Sequence, residues 1–231
     1  MSDPNMSLLQ EAAVKLAPFL EEVVFVGGIT LGLLITDKGA APIRGTIDVD
    51  IIAEILTYTD YIAFSERMRA ANFSEDQSEL LLTCRWRNQS LIVDVLPIDK
   101  KALGFTNIWY RGALKTAVAI ILPGGQTIRI ISAPFFRATK MEAFRQRGDR
   151  DYFASHDLED VIAVIDGRNS ILDEISSAPS DLRIYLAGAA KGLLRDPRFL
   201  DALPGFVLGD EASQQRVPLI HRRLIDLTQL A

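Results

Sequence analysis

The sequence predicts an α+β protein, a mixed sheet with helices followed by a helical C-terminal half. Short β-branched and alternating apolar runs fill the first 132 residues. From Ala133 onward, apolar positions recur at the helical period instead. No internal repeat or low-complexity tract interrupts either half. We therefore expect a sheet-containing core over residues 1–132 and a helical domain over 133–231 that completes the site. A length of 231 residues suits one large domain or two small ones at roughly 150 residues each. The hydrophobic fraction of 48% is enough to bury a core.

An amphipathic helix is expected over about Leu8–Leu20. Val23-Val24-Phe25-Val26 reads as a strand stopped by Gly27-Gly28, and Ile29–Ile35 as helical. The breakers in Thr36–Pro42 mark a loop. Ile47–Ile52 alternates, with Asp48 and Asp50 between Ile47, Val49 and Ile51, which predicts a strand with one buried face. A helix follows over about Asp60–Ala71, then strands at Leu80–Arg87, Leu91–Ile98 and Thr127–Ile131. Asn88-Gln89-Ser90 is the tight connection between the first two, and Ala117–Leu122 is a further strand candidate before Pro123-Gly124-Gly125.

The second half predicts helices at Ala133–Gln146, Ser155–Ile165, Ile171–Ile175, Asp181–Leu194 and Ala212–Leu230. Pro134 suits a first turn. Ser155 suits an N-cap, with Asp157 and Glu159 in the turn that follows it.

Composition excludes several classes. Twenty-five basic against thirty acidic residues give a net charge of −5, unlike a globally basic nucleic-acid coat. The single cysteine, Cys84, rules out a disulfide scaffold and fits a reducing compartment. With His156 and His221 as the two histidines, a three-histidine metal site is impossible, so any metal must be held by carboxylates, which points to Mg²⁺ or Mn²⁺. The longest uncharged stretch, Val23–Thr36, is too short and too glycine-rich for a span of ~20 apolar residues, so no membrane association is expected. The first twenty residues carry early acids and no basic-then-apolar pattern, which argues against a secretory signal and for a soluble, cytoplasmic protein.

Arg44-Gly45-Thr46-Ile47-Asp48-Val49-Asp50 is the most informative stretch. On a strand, Asp48 and Asp50 project from one face roughly 6.6 Å apart. Two like charges repel unless a cation sits between them, and a divalent ion is the simplest one. The alternative, two solvated aspartates on an exposed face, is weakened by the depletion of aspartate from strands. Asp94, inside Leu91-Ile92-Val93-Asp94-Val95-Leu96, is a charge that an apolar strand has no stability reason to carry. If the two strands are neighbours, Asp94 completes a triad able to hold two metals roughly 3.5–4 Å apart, as in phosphoryl-type transfer. Asp99, past Pro97, reads as a turn residue. Backbone amides at Gly27-Gly28 can approach a phosphate closely.

Gly27-Gly28, Asp48-x-Asp50 and a later Asp94 together resemble the nucleotidyltransferase superfamily built on the DNA polymerase beta core, and most of all its AbiEii-type (MenT-like) members from toxin–antitoxin systems. Gly28-Ile29-Thr30-Leu31 and the Arg44–Asp50 run carry that closer likeness, as do Lys140 in Ala138-Thr139-Lys140-Met141 and the later Asp157-Leu158-Glu159-Asp160. The resemblance implies a nucleotidyltransferase-type sheet and transfer of a nucleoside monophosphate from a nucleoside triphosphate to an acceptor hydroxyl. Asp48, Asp50 and Asp94 would then be catalytic and hold Mg²⁺ or Mn²⁺. Gly27, Gly28, Thr30, Arg44, Thr46, Lys140 and Asp157 would bind the nucleotide, with Thr30 supplying the hydroxyl that the family's usual serine carries. The acceptor could be tRNA or another RNA, a protein or a small molecule such as an antibiotic, and an antitoxin partner is implied. A non-catalytic binding module of the same fold is the alternative.

Blander readings stand beside these. Lys140 could be a solvated helix lysine, and Asp157 and Asp160 helix N-terminal acids. Arg137, Lys140, Arg145, Arg147 and Arg150 read either as a solvated face or as a basic patch that steers a triphosphate or an RNA backbone. His156 reads as a first-turn surface residue, and Trp86 and Trp109 are too far apart to argue a stacking platform.

Overall fold

The computed structural model describes residues 3–76, 84–147 and 151–231. They form two compact units. One comprises Ser2–Gly32 and Arg44–Ser132, the other Leu33–Ile43 and Ala133–Ala231.

The first unit is built on a seven-stranded mixed sheet of β1 (Val23–Val26), β2 (Val49–Ala53), β3 (Ser74–Glu75), β4 (Arg85–Asn88), β5 (Leu91–Pro97), β6 (Val118–Ile121) and β7 (Thr127–Ile130). Their order is β3-β4-β5-β2-β1-β7-β6. β2 runs parallel to β5 and antiparallel to β1, and β7 lies parallel to β1 on the other side. The central strands are the most apolar: Val23, Val24 and Phe25 on β1 and Val49, Ile51 and Ile52 on β2 are fully enclosed. Burial of both faces is what such continuous apolar runs signify. The expected strand at 47–52 starts two residues later, at Val49. Ile47 is 80% exposed and not in the core, because the alternation continues past the first residues that pair, Asp50 with β1 and Val49 with β5.

Helices in this unit are α1 (Met6–Lys15), α2 (Leu31–Leu34, whose last two residues belong to the second unit), α3 (Tyr58–Ala70), α4 (Lys100–Leu103) and α5 (Tyr110–Lys115). A capping box between Thr57 and Asp60 starts α3. The turn at Gln89 takes a left-handed backbone (φ 56°), as the expected tight connection requires. Half of the expected strand at 80–87, residues 80–83, falls outside the described residues; in the described half the strand begins at Arg85.

The second unit consists of helices α6 (Ala133–Arg147), α7 (His156–Gly167), α8 (Ile171–Ser176), α9 (Ser180–Arg195), α10 (Pro197–Ala202), α11 (Glu211–Gln214) and α12 (Val217–Leu227). Ser155 caps α7, its hydroxyl accepting from the Leu158 amide. The single helix expected over 212–230 is two, separated at Gln215-Arg216 just before Pro218. Residues 33–43, which the sequence assigns to the sheet half, belong here. The amides of Thr36 and Asp37 both donate to the Gly167 carbonyl, and Arg168 donates to the Leu34 carbonyl. Arg216 bridges Asp37 and Asp166 at 2.8 and 2.7 Å. A Cβ on Gly167 would press to 2.8 Å from the Ile35 side chain, so only glycine lets this segment lie so close. Among the described residues, no helix is long and apolar enough to cross a membrane.

Candidate active site

Within the first unit the sheet register places the candidate carboxylates. Across β1, β2, β5 and β4 the residues Val26, Asp50, Asp94 and Arg85 are successive partners in one row. Direct partners project from the same face, so Asp50, Asp94 and Arg85 share a face. Asp48 lies just before β2 and reaches the same group: the Arg85 guanidinium contacts it at 3.3 Å. Arg85 also holds Asp94 in a two-pronged pair, Nε to Oδ1 and Nη2 to Oδ2, each at 2.8 Å. Asp94 is buried, while Asp48 and Asp50 are partly open to solvent. The sequence expectation of three convergent aspartates is met in placement, with a cation of the chain's own among them.

Two further features shape this face. Gly27 ends β1 with a left-handed backbone (φ 70°), and the Asp50 carboxylate lies where its Cβ would be. Any side chain at 27 would displace that carboxylate. Thr46 donates from its hydroxyl to Asp48 Oδ1 at 2.8 Å, which fixes the oxygen that Arg85 does not touch.

Asn5, which the sequence reading passed over, ties these pieces together. Its side chain accepts from the Thr46 amide at 2.9 Å and donates to the Gly28 and Arg44 carbonyls at 3.4 and 3.3 Å. An asparagine just before a helix signals an N-cap, yet here it makes no side-chain cap to α1 and is 1% exposed. Arg85 was also missed, because an arginine in a half-polar strand carries no motif. Thr30 is fully buried and donates to the Gly27 carbonyl at 2.9 Å, so its hydroxyl proton secures the glycine turn.

Cys84 adjoins this face and is 2% exposed. Burial, reinforced by the charges of Asp94 and Asp50, pushes its thiol up to about 12. It is therefore neither nucleophile nor ligand near neutrality.

The donor set suits a small divalent cation. Three carboxylates offer hard oxygen ligands, the absence of a side chain at Gly27 lets the Asp50 carboxylate sit there, and the guanidinium already on two of them marks the face as cation-accepting. Among the described residues no three acidic, histidine or cysteine side chains form a group able to hold a metal ion as they stand, and Arg85 contacts both Asp48 and Asp94. A cleft of about 660 Å³ in this unit lies elsewhere: it is lined by Ala53–Ile55 and Ile98, past the far ends of β2 and β5, with Arg111 and Lys115. It does not include the carboxylates.

In the second unit, Lys140 on α6 meets the start of α7. Its ammonium lies 3.1 Å from Asp157 and 2.7 Å from Asp160, whose side chain is 1% exposed. The solvated-lysine reading is thus overturned, and Asp157 and Asp160 do more than favour a helix dipole. The expected basic patch is also divided. Arg137 is 1% exposed, and its Nε and Nη1 have no hydrogen-bond partner in the described structure. Arg145 lies over the Tyr185 ring at 4.9 Å. The Arg147 side chain and Arg150 lie outside the described residues. His156 is on the surface beside Glu159, as expected.

No family model matches the chain, and no curated protein matches it. Among solved structures it is similar to a candidate nucleotidyltransferase from Helicobacter pylori, at 12% identity and a TM-score of 0.49, covering 97% of this chain and 93% of that one. It is also similar to JHP933 from Helicobacter pylori, at 12% identity and a TM-score of 0.48, covering 99% and 94%.

Proposed function

We propose that the chain is a metal-dependent nucleotidyltransferase that moves a nucleoside monophosphate from a nucleoside triphosphate to an acceptor hydroxyl. The observation that supports this best is the pairing of Asp50 with Asp94 on neighbouring parallel strands, with Asp48 brought to the same group beside the Gly27 turn.

In this reading the acceptor oxygen attacks the α-phosphorus, the bond from that phosphorus to the bridging oxygen of the β-phosphate breaks, and pyrophosphate leaves with the electron pair. Asp94 takes the hydroxyl proton as general base. Asp48 and Asp50 would hold Mg²⁺ or Mn²⁺ together with Asp94. Such an ion, when bound, supplies charge neutralisation at the phosphates and lowers the acceptor hydroxyl's pKa. The Gly27-Gly28 backbone approaches the phosphates, and Asn5 and Thr46 keep the 44–48 run and Asp48 in place for them. Arg44, in the same run, would contact the nucleotide in this reading. Lys140 and Asp157 form an ion pair within the second unit, so Lys140 is not a lone phosphate-binding lysine.

The motif likeness of Gly28–Leu31 and Arg44–Asp50 supports a toxin–antitoxin-type enzyme with a protein antitoxin as partner. An RNA, a protein or a small molecule such as an antibiotic are the acceptor classes to test. A second reading, a non-catalytic nucleotide- or partner-binding module, is favoured by the ion pairs that Arg85 makes with Asp94 and Asp48.

The test is transfer of label from each α-labelled nucleoside triphosphate, with magnesium, into a total RNA and protein extract and into small-molecule acceptors. Label that requires wild-type Asp48 and Asp50 supports the enzyme reading and identifies base and acceptor. Full transfer by Asp48→Asn and Asp50→Asn variants would sink it. Nucleotide binding without transfer to any acceptor supports the module.

A further inference from the structure

We propose that Arg85 is a built-in counter-ion that competes with a divalent cation for Asp94 and Asp48, so that metal reaches both carboxylates only when the guanidinium swings away. This rests on the metal-dependent reading above.

Three observations carry the inference. Arg85 and Asp94 are direct cross-strand partners on β4 and β5, so the pair is set by sheet register and not by a chance surface contact. Both prongs of the guanidinium are on Asp94 at 2.8 Å, occupying both of its oxygens, while the same Nη2 reaches Asp48 at 3.3 Å. A hard cation bound by those oxygens would need the space and the lone pairs that Arg85 now takes. The pair is also only partly sheltered: the Arg85 side chain is 20% exposed and that of Asp94 12%. It can therefore open toward solvent without unfolding the strands.

The charge balance makes the arrangement useful. Asp48, Asp50 and Asp94 on one face repel one another, and a single guanidinium offsets part of that repulsion while no ion is bound. Asp50 is the register partner of Asp94 on its other side, across β2 and β5. Asp94 then becomes available to a cation only after the guanidinium has left its two oxygens.

The test measures Mn²⁺ binding to the full chain by the loss of the free-ion paramagnetic resonance signal, for wild type and Arg85→Gln. Removing a charge-assisted competitor is expected to tighten Mn²⁺ binding by about tenfold in Arg85→Gln. Equal or weaker binding by a folded Arg85→Gln overturns the competition and leaves the metal site standing. Failure of wild type and Arg85→Gln alike to bind Mn²⁺ overturns both the competition and the metal-dependent reading.

A second measurement needs only the wild-type chain, with Arg85→Lys used to assign the signal. The Arg85 Nε–H resonance should move as Mg²⁺ is added, with the same midpoint as Mg²⁺ binding. A resonance that stays fixed while Mg²⁺ binds shows that Arg85 keeps Asp94, which overturns the proposal.

Discussion

The Asp50 carboxylate rests against the Cα of Gly27, in the space that any side chain at position 27 would fill. Gly27 also has φ 70°, which non-glycine residues seldom adopt. Gly27→Ala should therefore displace Asp50 as well as strain the turn. We expect a loss of about 1–3 kcal/mol in stability and about a hundredfold in transfer rate, the scale of a misplaced reacting group. Urea unfolding and initial rates on the same preparation check this; a stable variant with unchanged rate would show that the contact is incidental.

Asn5 predicts a different split. Its side chain joins Gly28, Arg44 and Thr46, so it acts on the aspartates by holding the 44–48 run. Asn5→Ala leaves buried backbone groups unpaired and should cost about 1–3 kcal/mol. In the proposed chemistry the variant should show raised KM for the triphosphate more than lowered kcat. Equal loss in both would place Asn5 nearer the reaction than its contacts suggest.

Arg137 is the opposite case, a charge whose removal should help. It is buried on α6, and desolvation pulls its guanidinium down to about 9. Because the folded-state value lies below the unfolded one, the charged form opposes folding, and that penalty is relieved as pH rises above about 9. Arg137→Met keeps most of the volume without the charge and should stabilise by about 1–4 kcal/mol at pH 7, where buried charges have been replaced in this way. Thermal melts of both chains at pH 7 and pH 10 check this, with the gap narrowing at the higher pH.

Asp37 carries the acid side. The Arg216 side chain, then the Gly39 amide, holds its carboxyl below the usual carboxylate range. Its contribution is therefore present above the unfolded value of about 3.9 and fades as pH falls through the lowered folded value. Asp37→Asn should cost about 0.5–1 kcal/mol at pH 7, reduced by the solvent exposure of the pair. The difference from wild type should shrink below about pH 4, and denaturant melts at pH 7 and pH 3 would show it.

Cys84 should be silent toward thiol reagents in the native state. Burial puts its thiol at about 12, so a disulfide-exchange probe at pH 8 should react fully only after denaturation. Fast native labelling would mean that the region beside Asp94 opens readily.

The strands that hold the aspartates were legible because periodicity and β-branching report directly on a two-sided environment. The alternation at 47–52 correctly put Asp48 and Asp50 together, but it could not tell that pairing begins only at Val49. That depends on where β5 begins to pair with β2, at Val49 opposite Val93, a tertiary fact. Lys140, Asp157 and Asp160 were found as separate motifs, and their mutual ion pairs needed α6 and α7 packed together. Arg85 and Asn5 had no pattern to announce them. Arg85 works mainly through Asp94, its partner across the β4–β5 hairpin, and Asn5 through Arg44 and Thr46 far along the chain, and neither pairing leaves a motif.

The membership of residues 33–43 in the helical unit bears on how this gene could have been assembled or be taken apart. The chain leaves the sheet unit after Gly32, is fastened by Gly167, Arg168 and Arg216, and returns at Arg44 before it departs for good at Ala133. A polypeptide that stopped at residue 132 would retain this excursion but none of its anchors, and a helical fragment started at 133 would lack its own inserted strap. The two halves therefore cannot be swapped as cassettes at the obvious seam. Recombination that preserves both would have to carry 33–43 with the C-terminal half, which leaves the Gly27–Asp50 corner joined across a new linker.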